Sequence, residues 1–296
     1  MTQEHRFGPV LFIPGVNDGR YPYCNSIYIK GPGILIDPAS DPERLARLKE
    51  EEEVKQIWLT HFHEDHIMYL DLFDDVPLFI SEEDADKLAD LDNFMEWDWY
   101  GLDKTEKGWW EAVMSEHFHF KPRTPAGFLR DNDVVRHQGA TIEVIHTPGH
   151  TSGSLSFFIR EPSVLFLGDY DLTKFGPYYG NRQSSIKDTI ASINRLRRIP
   201  ARVLLTSHEE GIFENPPDDI WDRYLDVIFR REKKLLEFLS SPRTLPEIVD
   251  EHIAYRKPRE PKAFFEMGER ALMKKHLEFL LEKKLIRYDG NFYSKK

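Results

Sequence analysis

The chain has 296 residues, 40% of them hydrophobic and 31% charged, with a net charge of −11 and a single cysteine. That is enough apolar material for one large domain or two ordinary ones, and it excludes a disordered chain. The acidic balance argues against a general nucleic-acid coat, and Cys24, as the lone cysteine, excludes an intrachain disulfide.

In chain order, Val10 to Val16, Asn25 to Lys30 and Gly33 to Asp37 read as short paired strands broken by turn residues. Asp41-Pro42 opens a helix with Leu45 and Leu48 on its apolar face, and Val54 to Thr60 reads as a buried strand that runs into His61. Pro77 to Ile80 is a further strand, and Ser81 with Asp84 three positions on reads as a capped helix start. From about Asn93 to Asp131 the pattern is irregular and aromatic, which suggests an insertion. Strands follow at Thr141 to His146, Ser154 to Arg160, Ser163 to Asp169 and Arg202 to Ser207, with a helix from about Ser185 to Arg198 before the last.

An amphipathic helix around Asp219 to Leu239 leads to Ser240-Ser241-Pro242. Beyond it, Leu245 to His252 and Arg270 to Lys283 read as helices, and Asp289-Gly290 between short apolar runs reads as a hairpin turn. The expected division is therefore a main domain over 1–218, with its insertion near 93–131, and a linking helix plus a small winged-helix-like module over 219–296. From Pro242 onward there are 13 Lys/Arg against 9 Asp/Glu, a mildly basic tail on an acidic chain.

The densest chemical signal is His61-Phe62-His63-Glu64-Asp65-His66, directly after a buried strand. Imidazole and carboxylate suit zinc, iron and manganese, and this loop can direct donors at two centres. It differs from the zincin His-Glu-x-x-His helix, because His63 and His66 are three apart. His150, Asp169 and His208 each stand where a strand meets a loop. His117 and His119 alternate but have no third donor near them in sequence, and read as surface or strand histidines.

The ordered set His-x-His-x-Asp-His, then His, Asp and His resembles the signature of the metallo-β-lactamase superfamily over about residues 10 to 210. The resemblance implies an α/β fold, the αββα sandwich, and two divalent metal ions, zinc foremost with iron or manganese as alternatives. It assigns His61, His63 and His150 to one ion, Asp65, His66 and His208 to the other, and Asp169 to both. It also makes Asp37 a residue that orients a ligand by hydrogen bond. His150 is preferred to His146 because it follows Pro148-Gly149. Ile67-Met68 stand where many members have Gly-Gly, and Asp169 stands where many zinc β-lactamases have Cys, so antibiotic hydrolysis is not expected.

The implied activity is hydrolysis of an ester-type bond, such as a thioester or lactone, by a metal-bridged hydroxide, with Asp65 and Asp169 as the catalytic carboxylates. Trp97, Trp99, Tyr100, Trp109 and Trp110 of the insertion, with Tyr170, Tyr178 and Tyr179, are the candidate pocket for a small-molecule substrate. A subsidiary core or a homodimer contact is the alternative use of the insertion. The tail is similar to the winged-helix extension of the branch related to β-lactamase-like protein 2, which makes RNA a candidate partner and an endoribonuclease or phosphodiesterase the alternative activity. A metal-bearing sensor or effector is the alternative outside the enzymes. Because every candidate ligand precedes Pro242, the tail is expected to be dispensable for the metal centre. The residues Met1 to Arg6 open no apolar signal segment, and no run reaches the roughly 18 residues that span a bilayer, so a cytoplasmic protein without a membrane partner is expected.

Overall fold

The computed structural model describes residues 3–137 and 139–296. Seven strands form the first sheet, hydrogen-bonded in chain order: β1 (His5–Phe7), β2 (Val10–Ile13), β3 (Ser26–Ile29), β4 (Ile34–Ile36), β5 (Gln56–Trp58), β6 (Leu78–Ile80) and β7 (Gly127–Phe128). The second sheet contains β8 (Val134–His137), β9 (Ala140–His146), β10 (Leu155–Ile159), β11 (Val164–Phe166), β12 (Val203–Leu205) and β13 (Ile212–Phe213), in the order β13-β12-β11-β10-β9-β8. Both sheets mix parallel and antiparallel pairs.

Alternate residues of each strand go to opposite faces, and this period of two builds the layers. Val10, Phe12, Ile27, Ile29, Ile34 and Ile36 meet Ile142, Val144, Phe157, Val164, Phe166 and Leu205 in the core between the sheets. The residues between them face outward under helices: Leu11, Ile13, Tyr28 and Leu35 on one side, Leu165 and Leu204 on the other. The result is the expected αββα sandwich.

Helix α1 (Pro42–Glu51) starts as its sequence signals, with Asp41 accepting from the Arg44 amide at 2.8 Å and Pro42 in the first turn. After α2 (Glu64–Ile67), the aromatic insertion proves helical, comprising α3 (Leu91–Met95), α4 (Trp97–Tyr100) and α5 (Lys104–Glu116). Its pattern looks irregular because left-handed residues, Glu96 (φ 42°) and Gly101 (φ 61°), break it into short pieces. Phe94, Met95, Tyr100, Trp110 and Met114 pack into the outer layer over the first sheet. No ordinary helix starts at Ser81: a 3₁₀ turn covers Ala85–Leu88, and buried Asp84 is used elsewhere.

Helices α6 (Ile186–Leu196) and α7 (Ile220–Phe238) cover the second sheet. Next come α8 (Leu245–Asp250), α9 (Lys262–Glu282) and the hairpin of β14 (Ile286–Tyr288) and β15 (Tyr293–Lys295). α9 begins eight residues before the expected Arg270, running through Gly268. It packs into both outer layers, with Met267 and Ala271 over the first sheet and Leu272, Met273 and Leu277 over the second. The tail's elements occur in the expected order, but α9 does not stand apart from the sandwich. Among the described residues no helix is long and apolar enough to cross a membrane.

Candidate metal centre

Strand direction gathers the donors at one edge. β9 and β11 both run antiparallel to β10, and β12 runs parallel to β11, so β9, β11 and β12 end on the same side. His150, Asp169 and His208 follow those three ends. β4 and β5 are likewise parallel, which sets Asp37 beside the loop holding His61 and His63. His61 and His63 precede α2, whereas Asp65 and His66 lie on its first turn and point to a different centre. At Gly149 (φ 136°) a Cβ would lie 2.4 Å from the Thr189 amide, so only glycine lets the His150 turn close on α6.

The donor atoms form two groups. His61 Nε2, His63 Nδ1 and His150 Nε2 lie 2.9 to 3.0 Å from one another, and Asp169 Oδ2 is 3.2 Å from His150 Nε2. Asp169 Oδ1 is 3.0 Å from His66 Nε2 and 3.5 Å from His208 Nε2, which in turn is 3.3 Å from Asp65 Oδ2. Asp171, which accepts from the His208 amide at 2.9 Å, forms a further group with Asp169 and His208. Within each group the ligand atoms lie inside 4.8 Å of one another.

Every imidazole has its outer nitrogen tied down. His61 Nδ1 meets Thr60 Oγ1 at 2.9 Å, His63 Nε2 meets Asn181 Oδ1 at 2.8 Å, and His150 Nδ1 meets the Tyr178 carbonyl at 3.0 Å. His66 Nδ1 meets Asp37 Oδ2 at 2.9 Å, and His208 Nδ1 meets the carbonyls of Gly19 and Tyr23 at 2.9 and 3.0 Å. Carbonyl and carboxylate partners require a proton on those outer nitrogens, so the inner lone pairs face the centre. Asp37 also accepts from the Thr60 amide and hydroxyl. Buried His66 Nε2 and Asp169 Oδ1 have no hydrogen-bond partner among the described residues. Inward lone pairs, unsatisfied buried atoms and mixed N/O donors together suit divalent cations.

The electrostatics follow from burial beside one carboxylate. Burial holds His61 and His63 well below the usual imidazole range, keeping them neutral as ligands must be. Burial also opposes charge on His66, His150 and His208, but Asp169 together with other acceptors around each ring, Asp37 and Asp65 for His66, the Tyr178 carbonyl for His150, Asp171 and Asp65 for His208, moves all three upward. For Asp169 itself, burial is overcome by His66, His208, His61 and His150, and its carboxyl falls well below the usual range. Burial, with the neighbouring carboxylate, pushes Glu64 up to about 7. Asp171 is likewise raised to about 7, chiefly by burial.

A cavity of about 400 Å³ opens on these donors. Of the expected pocket residues it takes Tyr100, Trp110 and Tyr178. Trp97, Trp99, Trp109, Tyr170 and Tyr179 lie outside it, because their polar or aromatic edges are used in packing. Trp97 donates to Asp92, Trp99 donates to the Gly180 carbonyl, and Trp109 packs edge-on against Trp110. The Tyr170 hydroxyl donates to the carbonyls of Thr147 and Pro148, and the Tyr179 hydroxyl meets His276 Nε2 at 2.8 Å. His117 and His119 join no metal-ligand group among the described residues.

Several residues of the site escaped the sequence reading. Asp171 could have been found from its alternate spacing with Asp169, but Asn181 carries no local signal. Asp84 clamps the His150 turn by accepting from the Thr151 hydroxyl at 2.6 Å and the Gly153 amide at 2.9 Å. From the tail, Tyr255, Phe264, Phe265 and Met267 line the cavity, so the tail is part of its wall. The Phe264 ring stacks on Tyr21 at 4.9 Å and approaches Trp110 at 5.9 Å, joining the N-terminal region, the insertion and the tail.

Residues 19–208 match the metallo-β-lactamase superfamily. The chain is 28% identical over 194 residues to "Acyl-coenzyme A thioesterase MBLAC2" of Gallus gallus, covering 63% of each chain. To the protein of that name in Homo sapiens it is 32% identical over 161 residues, 52% of this chain and 54% of that one. The chain thus spans from about half to just under two thirds of the length of these curated relatives. A metallo-β-lactamase family protein of Thermus thermophilus has the same fold with a TM-score of 0.75, at 26% identity over 97% of this chain and 99% of that one.

Proposed function

Because the chain belongs to the metallo-β-lactamase superfamily, we propose that it is a dinuclear metal-dependent hydrolase acting on thioesters with an apolar acyl group. The observation that carries this reading is the position of Asp169, with one oxygen toward each donor cluster, in a cavity whose wall includes many aromatic side chains. In this reading His61, His63 and His150 hold one ion, Asp65, His66 and His208 hold the other, and Asp169 serves both. Divalent ions, with zinc the first choice, supply Lewis acidity and lower the pKa of water. The names of the MBLAC2 relatives support the thioester, and Phe62, Phe94, Met95, Phe264 and Met267 supply an apolar wall for an acyl chain.

The protein's own groups then divide the work. Burial keeps the Tyr178 hydroxyl protonated, so it donates a hydrogen bond to the acyl oxygen as charge develops there. Asp65 lines the cavity beside His208, accepts the proton that water gives up as it attacks the acyl carbon, and returns a proton to the thiolate as the C–S bond breaks. The aromatic wall excludes water from the acyl chain while the thioester carbon faces the donors.

Elemental analysis of metallated protein, combined with turnover on matched acyl thioesters, lactones and phosphodiesters, tests the proposal. About two ions per chain and preferential thioester turnover are expected. One ion or none would overturn the dinuclear centre. Preference for phosphodiesters would favour the nuclease alternative, and tight binding without turnover of any class would favour a sensor.

A further inference from the structure

The C-terminal region buries a cation against the loop that carries Tyr178. Arg231 of α7 is 3% exposed, and its guanidinium serves a single loop. Nη1 donates to the Pro177 carbonyl at 2.9 Å and to the Tyr179 hydroxyl oxygen at 3.2 Å, while Nη2 donates to the Phe175 carbonyl at 2.8 Å. The guanidinium also stacks 4.6 Å from the Phe175 ring centroid. A buried charge is costly unless its donors are satisfied, so this arrangement holds the loop and the arginine in one mutual geometry.

We propose that Arg231 is a positioning residue for the first donor cluster, setting the loop from which Tyr178 and Asn181 orient His150 and His63. Tyr178 lies between Pro177, whose carbonyl accepts from the guanidinium, and Tyr179, whose side-chain hydroxyl accepts from it, so the arginine holds the chain on either side of the Tyr178 carbonyl. That carbonyl accepts from His150 Nδ1, and three residues further on Asn181 Oδ1 accepts from His63 Nε2. α9 secures the same loop through His276 on the Tyr179 hydroxyl and Lys275 on the Arg182 carbonyl. The second cluster is oriented from elsewhere: His66 by Asp37, and His208 by Gly19 and Tyr23. Loss of Arg231 therefore loosens two of three imidazoles at one cluster and none at the other.

The inference rests on the two-ion reading, and a zinc titration against a chromophoric chelator separates the two claims. Wild-type protein that fails to take up two ions overturns the two-ion reading before any variant is made. Given two uptake steps, His150→Ala identifies the step belonging to the first cluster. Arg231→Met, which keeps volume and removes every donor, should weaken that step about 10- to 100-fold and leave the other unchanged. Arg231→Lys, which keeps the charge and some donors, should lose less. Thr244→Ala removes the N-cap of α8 away from the loop and should lower the melting temperature without moving either step. If Arg231→Met does not fold, Tyr179→Phe, which removes only the hydroxyl shared with His276, should still weaken the first-cluster step. A folded Arg231→Met or Tyr179→Phe protein that titrates as wild type, or loses both steps equally, overturns the positioning role.

Discussion

The two donor clusters share Asp169 but are held by different parts of the protein. The second is fixed by groups near the first sheet: Asp37 at the end of β4, and the carbonyls of Gly19 and Tyr23. The first depends on a loop after β11 that is secured by Arg231, His276 and Lys275 from the C-terminal region. Their chemistry is similar and their mechanical support is not. Donor identity is thus a property of motifs, whereas donor rigidity depends on what packs behind each motif.

The largest expected effect abolishes the difference. Asp169→Ala removes the group facing both clusters, so turnover should fall by at least about 100-fold, since a misplacement of about 1 Å already costs that much. Kinetics at saturating zinc, with circular dichroism to verify folding, check this; near-wild-type turnover with both ions bound would refute the shared role.

Asp37→Asn should sharpen the comparison. The amide cannot reproduce the carboxylate that accepts from His66 and twice from Thr60, so zinc affinity at the second cluster should fall about 10- to 100-fold. A smaller loss is expected at the first, because Thr60 also touches His61. Chelator competition measures both steps, and a larger loss at the first would reverse the assignment of supports.

The C-terminal support should also be the acid-sensitive one. Burial, with help from Arg231 and Lys283, holds His276 down to about 3, while an unfolded histidine titrates near ~6.5. The unfolded state therefore binds the extra proton first, and stability present above ~6.5 is lost as pH falls, by about 1.4 kcal/mol per unit while only that state is protonated. Asp84, pushed up to about 6 by burial, has the opposite sign, favouring the fold at low pH and losing that contribution as pH rises from ~4 to 6. Urea unfolding of His276→Gln should therefore lack about 1.6 kcal/mol of the loss that wild type shows between pH ~6.5 and ~5. Parallel pH profiles would contradict this origin.

The smallest effect separates stability from metal support. Thr244→Ala should cost about 1 kcal/mol through the lost cap, visible in thermal unfolding, with zinc affinity unchanged. A matching fall in affinity would mean that the first cluster responds to the whole C-terminal region rather than to Arg231.

Local chemistry made much of this protein legible from its residues. Strands such as Ala140–His146 and Leu155–Ile159 appear close to where apolar runs and turns place them, because period-two burial is written in adjacent residues. The Asp41 cap, the His61 to His66 motif, and His150, Asp169 and His208 at strand ends are local features too. Boundaries failed where tertiary packing outweighed propensity: α9 runs through Gly268 because neighbouring layers bury its flank, and Asp84 leaves the helix start to clamp a turn nearly seventy residues away.

What the sequence determined by itself was the set of candidate donors and the layered architecture, since both depend on residue type and spacing along a few consecutive positions. Only the tertiary structure decided that Asn181 meets His63 across 118 positions, that Trp99 and Tyr179 brace the site instead of lining it, and that Phe264 closes its wall. Those contacts join segments far apart in the chain, and a hydrogen bond or an aromatic stack is set by where folding brings two groups, which no short stretch of residues encodes.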